Sequence, residues 1–259
     1  MILLLCALLF SCTTQSELSK TPSDTASDKT EMQTLETDHF YIYHYGEDSQ
    51  TLLDVVNALE GSFTRLVNIF AAGLEANKVD LSERVKVTIY PNQQAFHQAI
   101  NYHNPPDWIV GTASGGHIKI VSPANPGPST NYDRMLTVVV HEFVHIVVNA
   151  AYATLHNIPE YLSEGLASYY SFQARGLQNL VRNAVKDNNF PDMNTVFAMN
   201  TSNGAYSYGH AFVEYVVEEY GTDTLLEYIQ KQRIETVFDL SLSVFNDEWL
   251  AYLVKTYLP

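Results

Sequence analysis

From His39 onward the chain alternates between two hydrophobic rhythms. "HFYIYHY" (His39 to Tyr45) is aromatic and β-branched, which predicts a strand. Leu52, Val55, Val56, Leu59, Phe63, Leu66, Val67 and Phe70 follow at helical spacing, with Ser49 as the expected cap and Gly73 as the expected stop. "RVKVTIY" turns Val85, Val87 and Ile89 to one face and Lys86 and Thr88 to the other, the pattern of a half-buried strand, and Pro91 ends it. A short helix carrying Phe96 and Ile100 is expected from Asn92 to about Asn101. "DWIVGTASGGHIKIVS" predicts two short strands around Gly115-Gly116, and "SPANPGPST" predicts a loop. From Asn131 to the end helical spacing dominates, and no internal repeat is present. The expected architecture is α+β: a small N-terminal mixed sheet with helices, followed by a mainly helical half.

Two stretches before His39 break the rhythm. "MILLLCALLFSC" is a twelve-residue apolar run. It falls short of the about 20 residues needed to span a bilayer and predicts an export signal. Its ending, Leu9-Phe10-Ser11-Cys12, resembles a bacterial lipobox, in which Cys12 becomes the acylated first residue of the mature chain. No Lys or Arg precedes the run, and Phe10 is bulky for its place. Cys6 and Cys12 are the only cysteines, so an exported domain would hold no disulfide. Thr13 to Thr37 is polar, has almost no large apolar residue, and predicts a flexible tether. The expected division is therefore 1–12 signal and lipobox, 13–37 tether and 38–259 folded domain. That places the protein in the bacterial cell envelope, outside the cytoplasm, with the membrane as partner through a lipid anchor. A net charge of -15 argues against a nucleic-acid partner. The oligomeric state is left open.

The candidate chemistry sits in "VVVHEFVHIVVNA", Val138 to Ala150. His141 and His145 are four apart, so on a helix they share one face and can reach one metal ion. Glu142 lies about 100° around the helix and is free to take a proton from water. H-E-x-x-H is the zincin signature, which predicts one Zn2+ per chain. A catalytic zinc site takes three protein ligands and keeps a fourth position open. "NIPEYLSEGLASYY" offers the third: Pro159 suits the start of a new helix, and Glu160 and Glu164 sit four apart on it. A carboxylate at Glu160, in the first turn, is favourable for the helix dipole alone. Glu164 is mid-helix and precedes Gly165, which lets two helices approach, so Glu164 is the expected ligand. A metal ion would then offset the burial of three ionisable groups in an apolar helix.

HEFVH, eighteen residues (146 to 163) and then Glu164 in "LSEGLASY" resemble the gluzincin metallopeptidases, and among them the small bacterial peptidase-MA-like domains. The resemblance extends over His39 to Leu258. It implies a zincin-like fold and zinc-dependent hydrolysis of peptide or protein substrates, with Glu142 as catalytic base. It also implies that substrate backbone binds along an edge strand, here "GHIKIVS" (Gly116 to Ser122). A Tyr or His opposite the zinc would stabilise the oxyanion. "AYSYGHAF" offers Tyr206, Tyr208 and His210, and Tyr206 matches the family's position best. Relatives often carry an acidic residue one turn after the third ligand; here Ser168 stands there. The alternative is a catalytically weak or inactive lipid-tethered binding module that keeps the zinc fold as scaffold. Glu142 favours the enzyme, because a scaffold needs ligands but no base. His39, His44, His97, His103, His117 and His156 lack metal spacing and read as surface or packing residues, with His117 within reach of substrate. Trp108 and Trp249 read as core, and the seventeen tyrosines suggest a polar-aromatic cleft.

Overall fold

The computed structural model describes residues 31–258, apart from residues 80, 82, 103, 156 and 203. Cys12, the export signal and the tether as far as residue 30 lie outside the described residues, as do His103 and His156. The elements run β1 (Gln33–Glu36), β2 (Phe40–His44), α1 (Ser49–Ile69), α2 (Ala71–Ala76), β3 (Val85–Tyr90), α3 (Gln93–Ala99), β4 (Gly111–Ser114) and β5 (His117–Val121). The second half is helical: α4 (Tyr132–Ala151), α5 (Glu160–Tyr170), α6 (Ala174–Lys186), α7 (Met193–Phe197), α8 (Ala205–Tyr220), α9 (Thr222–Lys231), α10 (Ile234–Phe238) and α11 (Leu242–Tyr257). The α+β division read from the sequence is the observed one.

The strands form one mixed sheet in the order β1-β2-β3-β5-β4. β2, β3 and β5 are parallel, while β1 and β4 pair antiparallel at the two edges. β1 corrects the expectation that the tether runs to Thr37. Gln33 to Glu36 pair with Tyr41 to His44, and Leu35 packs against the core. A strand held by ladder hydrogen bonds and one apolar side chain leaves almost no periodic signal. β5 corrects the expectation that "GHIKIVS" is an edge. Gly115 and Gly116 both take positive φ, +56° and +73°, which only glycine adopts at low cost. The tight turn they make folds β4 back along the outer side of β5, so β4 becomes the edge.

The ends of α1 also differ from expectation. Asp48 caps it, accepting from the backbone N–H groups of Gln50 and Thr51 at 3.0 Å each. Gly73 does not stop it; it lies inside α2, where a Cβ would sit 2.8 Å from the Ala151 carbonyl oxygen of α4. The glycine there permits close approach of two helices rather than a helix end.

α4 is enclosed, packing against α1, α2, α5, β4 and β5. It is long and apolar enough by composition to cross a membrane, but most of its apolar window is buried inside the protein. Phe143 stacks on Phe63 at 5.7 Å and meets Phe40 edge-on at 5.1 Å, tying α4 to α1 and β2. Each such fully buried ring contributes about 1.5–3 kcal/mol. In the helical half, α5 and α8 meet backbone to backbone. A Cβ on Gly165 would lie 2.4 Å from the Gly209 carbonyl oxygen, and one on Gly209 would lie 2.0 Å from that of Tyr161. Gly165 therefore serves contact with α8, not with α4. Trp249 of α11 is fully buried, as expected, but Trp108 is 50% exposed. Many of the tyrosines serve the helical half: Tyr252 donates to Glu218 at 2.9 Å, Tyr220 to Glu248 at 2.5 Å and Tyr257 to Glu214.

Candidate metal centre

α4 and α5 bring three donor atoms together. His141 and His145 lie one turn apart on α4, and Glu164 reaches them from the middle of α5. The two Nε2 atoms are 3.1 Å apart, and Glu164 Oε2 lies 3.2 Å from that of His141 and 3.6 Å from that of His145. These three residues are the one such group of His, Cys, Asp or Glu found among the described residues. Three lone-pair atoms this close repel one another unless a proton or a cation lies between them. A tetrahedral ion with bonds of about 2.0–2.1 Å has donor–donor edges of about 3.3 Å, close to all three separations. The donor set, two imidazoles and a carboxylate, is one that zinc accepts. The residues present therefore fit a metal ion.

Ring orientation has separate support. Ser163 Oγ lies 3.3 Å from His145 Nδ1, which leaves Nε2 to face Glu164. Sequence reasoning passed over Ser163, although its place directly before Glu164 puts it on the adjoining part of α5. His141 Nδ1 is buried with no hydrogen-bond partner among the described residues, and the same holds for Ser168 Oγ. Glu160, the other glutamate considered, stands apart from the group. It accepts from the Thr201 backbone N–H at 2.9 Å and ties the loop before α8 to the start of α5.

The two carboxylates of the site have opposite electrostatics. Burial raises the pKa of Glu142 to about 7; the nearby Glu164 charge adds to this and His145 opposes it. Burial also works against ionisation of Glu164, but bonds to His141 and His145 outweigh it and hold its pKa at about 2. Desolvation lowers the His141 pKa; at His145 the Glu164 carboxylate overcomes desolvation and raises it.

A cleft of about 900 Å³ opens over this group, lined by His141, Glu142, His145, Glu164 and Tyr206. Gly111 of β4 forms part of its wall. A Cβ there would lie 2.8 Å from both Glu142 Oε1 and Val138 Cγ1, so glycine lets the edge strand lie against the carboxylate. Tyr206 is the one of the three oxyanion candidates that faces the cleft, with its ring 6.0 Å from that of His141. Burial, then the charges of Glu164 and Glu142, raise its pKa, so it stays a hydroxyl donor. Tyr208 packs beside Gly204, outside the cleft lining. His210 is buried against Tyr169 at 5.8 Å, and desolvation lowers its pKa to about 4. Trp108, expected in the core, instead lines the cleft and meets Tyr206 edge-on at 6.4 Å. His117 is bound to Thr88 Oγ1 at 2.8 Å and lies outside the lining. His39 bonds Glu60 at 2.6 Å and stacks on Phe63, and His97 bonds the Ile109 carbonyl at 2.9 Å; His44 is buried, as packing residues are.

The family model of the Peptidase MA superfamily matches residues 71–255, more than two thirds of the chain. No curated protein matches it. The matched range runs from the start of α2 to within two residues of the end of α11, and leaves out β1, β2 and all of α1. The chain belongs to the Peptidase MA superfamily.

Proposed function

We propose that this member of the Peptidase MA superfamily is a zinc-dependent peptidase of the gluzincin type with a zincin-like fold. The observation that carries the proposal is the convergence of His141 Nε2, His145 Nε2 and Glu164 Oε2 at 3.1–3.6 Å beside the free carboxylate of Glu142. His141, His145 and Glu164 would hold one Zn2+, which when bound supplies Lewis acidity at the carbonyl of a bound amide.

The chain's own residues do the rest. The unpaired edge of β4 runs along the cleft and suits an extended peptide, whose backbone would add to the sheet. Glu142 takes a proton from water as its oxygen bonds to the carbonyl carbon. As the C–N bond breaks, Glu142 returns that proton to the leaving amine. Burial raises the Glu142 pKa in the metal-free site, and a cation on the neighbouring ligands would lower it again, which favours the ionised carboxylate that takes the proton. The Tyr206 hydroxyl donates to the oxygen that gains negative charge. The alternative, a tethered module with little activity, draws on one observation: His141 Nδ1 has no partner among the described residues, and Ser168 occupies the place where an acid would serve it.

Peptide cleavage by zinc-loaded protein, with and without chelator, separates the two. Glu142→Gln is expected to keep zinc and fold and to lose turnover by about two or more orders of magnitude. Equal turnover in wild type and variant would remove Glu142 from the chemistry. The proposal extends to place: export and acylation at Cys12 would hold the domain at a bacterial membrane, outside the cytoplasm. Mass spectrometry of the mature N-terminus tests this, and an unmodified N-terminus beyond Cys12 would refute it.

A further inference from the structure

Arg134 stands on the same face of α4 as the metal-facing residues. Positions 134, 138, 141, 142, 145 and 149 all line the cleft, at steps of four residues or fewer. Arg134 is in the first turn of α4, where a cation opposes the helix dipole, so helix stability does not account for it. Its backbone N–H is capped by Asn131 Oδ1 at 2.9 Å. Its guanidinium makes no ion pair among the described residues. It reaches toward α6, with Nη1 4.0 Å from where a Cβ on Gly176 would lie. Among the described residues it is the one Lys or Arg that lines the cleft, in a chain of net charge -15. Ser129 and Thr130 line the cleft with it, and the Thr130 hydroxyl is buried with no partner among the described residues.

A guanidinium with no ion pair among the described residues, in a largely neutral cleft whose two acids, Glu142 and Glu164, belong to the metal centre, suits an incoming anion. For a peptide that anion is a carboxylate. We propose that Arg134 is a specificity residue that binds a carboxylate of the peptide about three residues from the bond cleaved. The spacing follows from two rises. Seven helical residues separate Arg134 from His141, about 10 Å at 1.5 Å each. An extended peptide covers that distance in about three residues at roughly 3.3 Å each. The guanidinium fork matches a carboxylate bidentately, which a lysine would not do. The inference rests on the peptidase reading for its substrate. The carboxylate is either an acidic side chain or the peptide's own C-terminus; both present the same chemistry to Arg134.

The test uses zinc-loaded protein and a set of labelled ten-residue peptides of one apolar host sequence. A single Asp, the neutral Asn or a Lys is moved along the host, and each peptide is made with a free and with an amidated C-terminus. Cleavage is followed by mass spectrometry, and binding to the Glu142→Gln protein by fluorescence anisotropy. Wild type should prefer the carboxylate-bearing peptide at one spacing by on the order of tenfold in kcat/KM and in affinity, the size of one charge-assisted hydrogen bond. Arg134→Met should collapse that ratio toward one, and Arg134→Glu should turn it toward Lys-bearing peptides. Preference for Asp over Asn identifies a side chain; preference for acid over amide identifies the C-terminus. If no peptide is cleaved but carboxylate peptides bind in an Arg134-dependent way, the peptidase reading fails and this inference stands. Cleavage without any carboxylate preference overturns the inference alone, and absence of both cleavage and binding overturns it together with the peptide-ligand reading.

Discussion

The cleft has two walls that use glycine for the same purpose with unequal rigor. On the helical wall, Gly165 and Gly209 put α5 and α8 in backbone contact, and an added Cβ would meet carbonyl groups at 2.0 and 2.4 Å. On the sheet wall, Gly111 lets the edge strand approach α4, and an added Cβ would meet side-chain atoms at 2.8 Å. Backbone of packed helices cannot step aside, whereas the end of Glu142 can. Each wall also sets the state of one carboxylate. Glu164 projects from the helical wall into two imidazoles and is held ionised; Glu142 lies against the sheet wall without such partners, and its pKa rises. The rigid wall thus carries the ligand, and the more yielding wall borders the residue that must move protons.

The largest effect should come from the helical wall. Gly209→Ala is expected to destabilise the domain by at least about 3 kcal/mol, the upper range for overpacking. Gly61→Ala is the control. It lies within α1 with nothing within 4 Å of the added Cβ and should stabilise by about 0.5–1 kcal/mol. Thermal melts of both decide it; equal melting of Gly209→Ala and wild type would mean that this wall is not held by backbone contact.

The second contrast is electrostatic and is read in zinc-free protein. The Glu142 pKa is about 7 when folded, above its usual 4.5, so the folded state binds the extra proton. The stability this confers is present below about pH 4.5 and is lost as pH rises through 7. Glu142→Gln removes the ionising group and should stabilise zinc-free protein above pH 7 by on the order of 1–3 kcal/mol, with no gain at pH 4. A gain independent of pH would show that Glu142 is not the titrating group. Glu164 carries the opposite sign, because its lowered pKa stabilises above about pH 4.5 and the contribution is lost as pH falls toward 2.

The smallest effect should fall on the sheet wall. Gly111→Ala meets movable side chains, so stability should fall by less than about 1.5 kcal/mol. Displacing Glu142 should cost turnover about tenfold or more. A large loss of stability with normal turnover would reverse the roles assigned to the two walls.

The same contrast explains what was legible in the sequence. Helical spacing is local, so His141, Glu142 and His145 could be placed on their faces from spacing alone. Glu164 required only that the chain turn back between Ala151 and Pro159. Non-local partners carry no such period. Gly165 read as a point of close approach, but nothing local told that Gly209, 44 positions on, was its partner. β4 and β5 were both read as strands; which one lies at the edge depends on β3 taking the far side of β5. Trp108 read as core because its composition says apolar, whereas its position on the lip of the cleft is tertiary. Arg134 was overlooked although the step of 134, 138, 141 and 145 was available in the same helix.

The central claim is that His141, His145 and Glu164 hold one zinc ion. Elemental analysis of purified protein after zinc reconstitution and desalting tests it most directly, on wild type, Glu164→Ala and Glu160→Ala. The account predicts about one zinc per chain in wild type and in Glu160→Ala, and loss of zinc in folded Glu164→Ala. Folded wild type that retains no zinc, or a Glu164→Ala variant that retains it fully, would contradict the account.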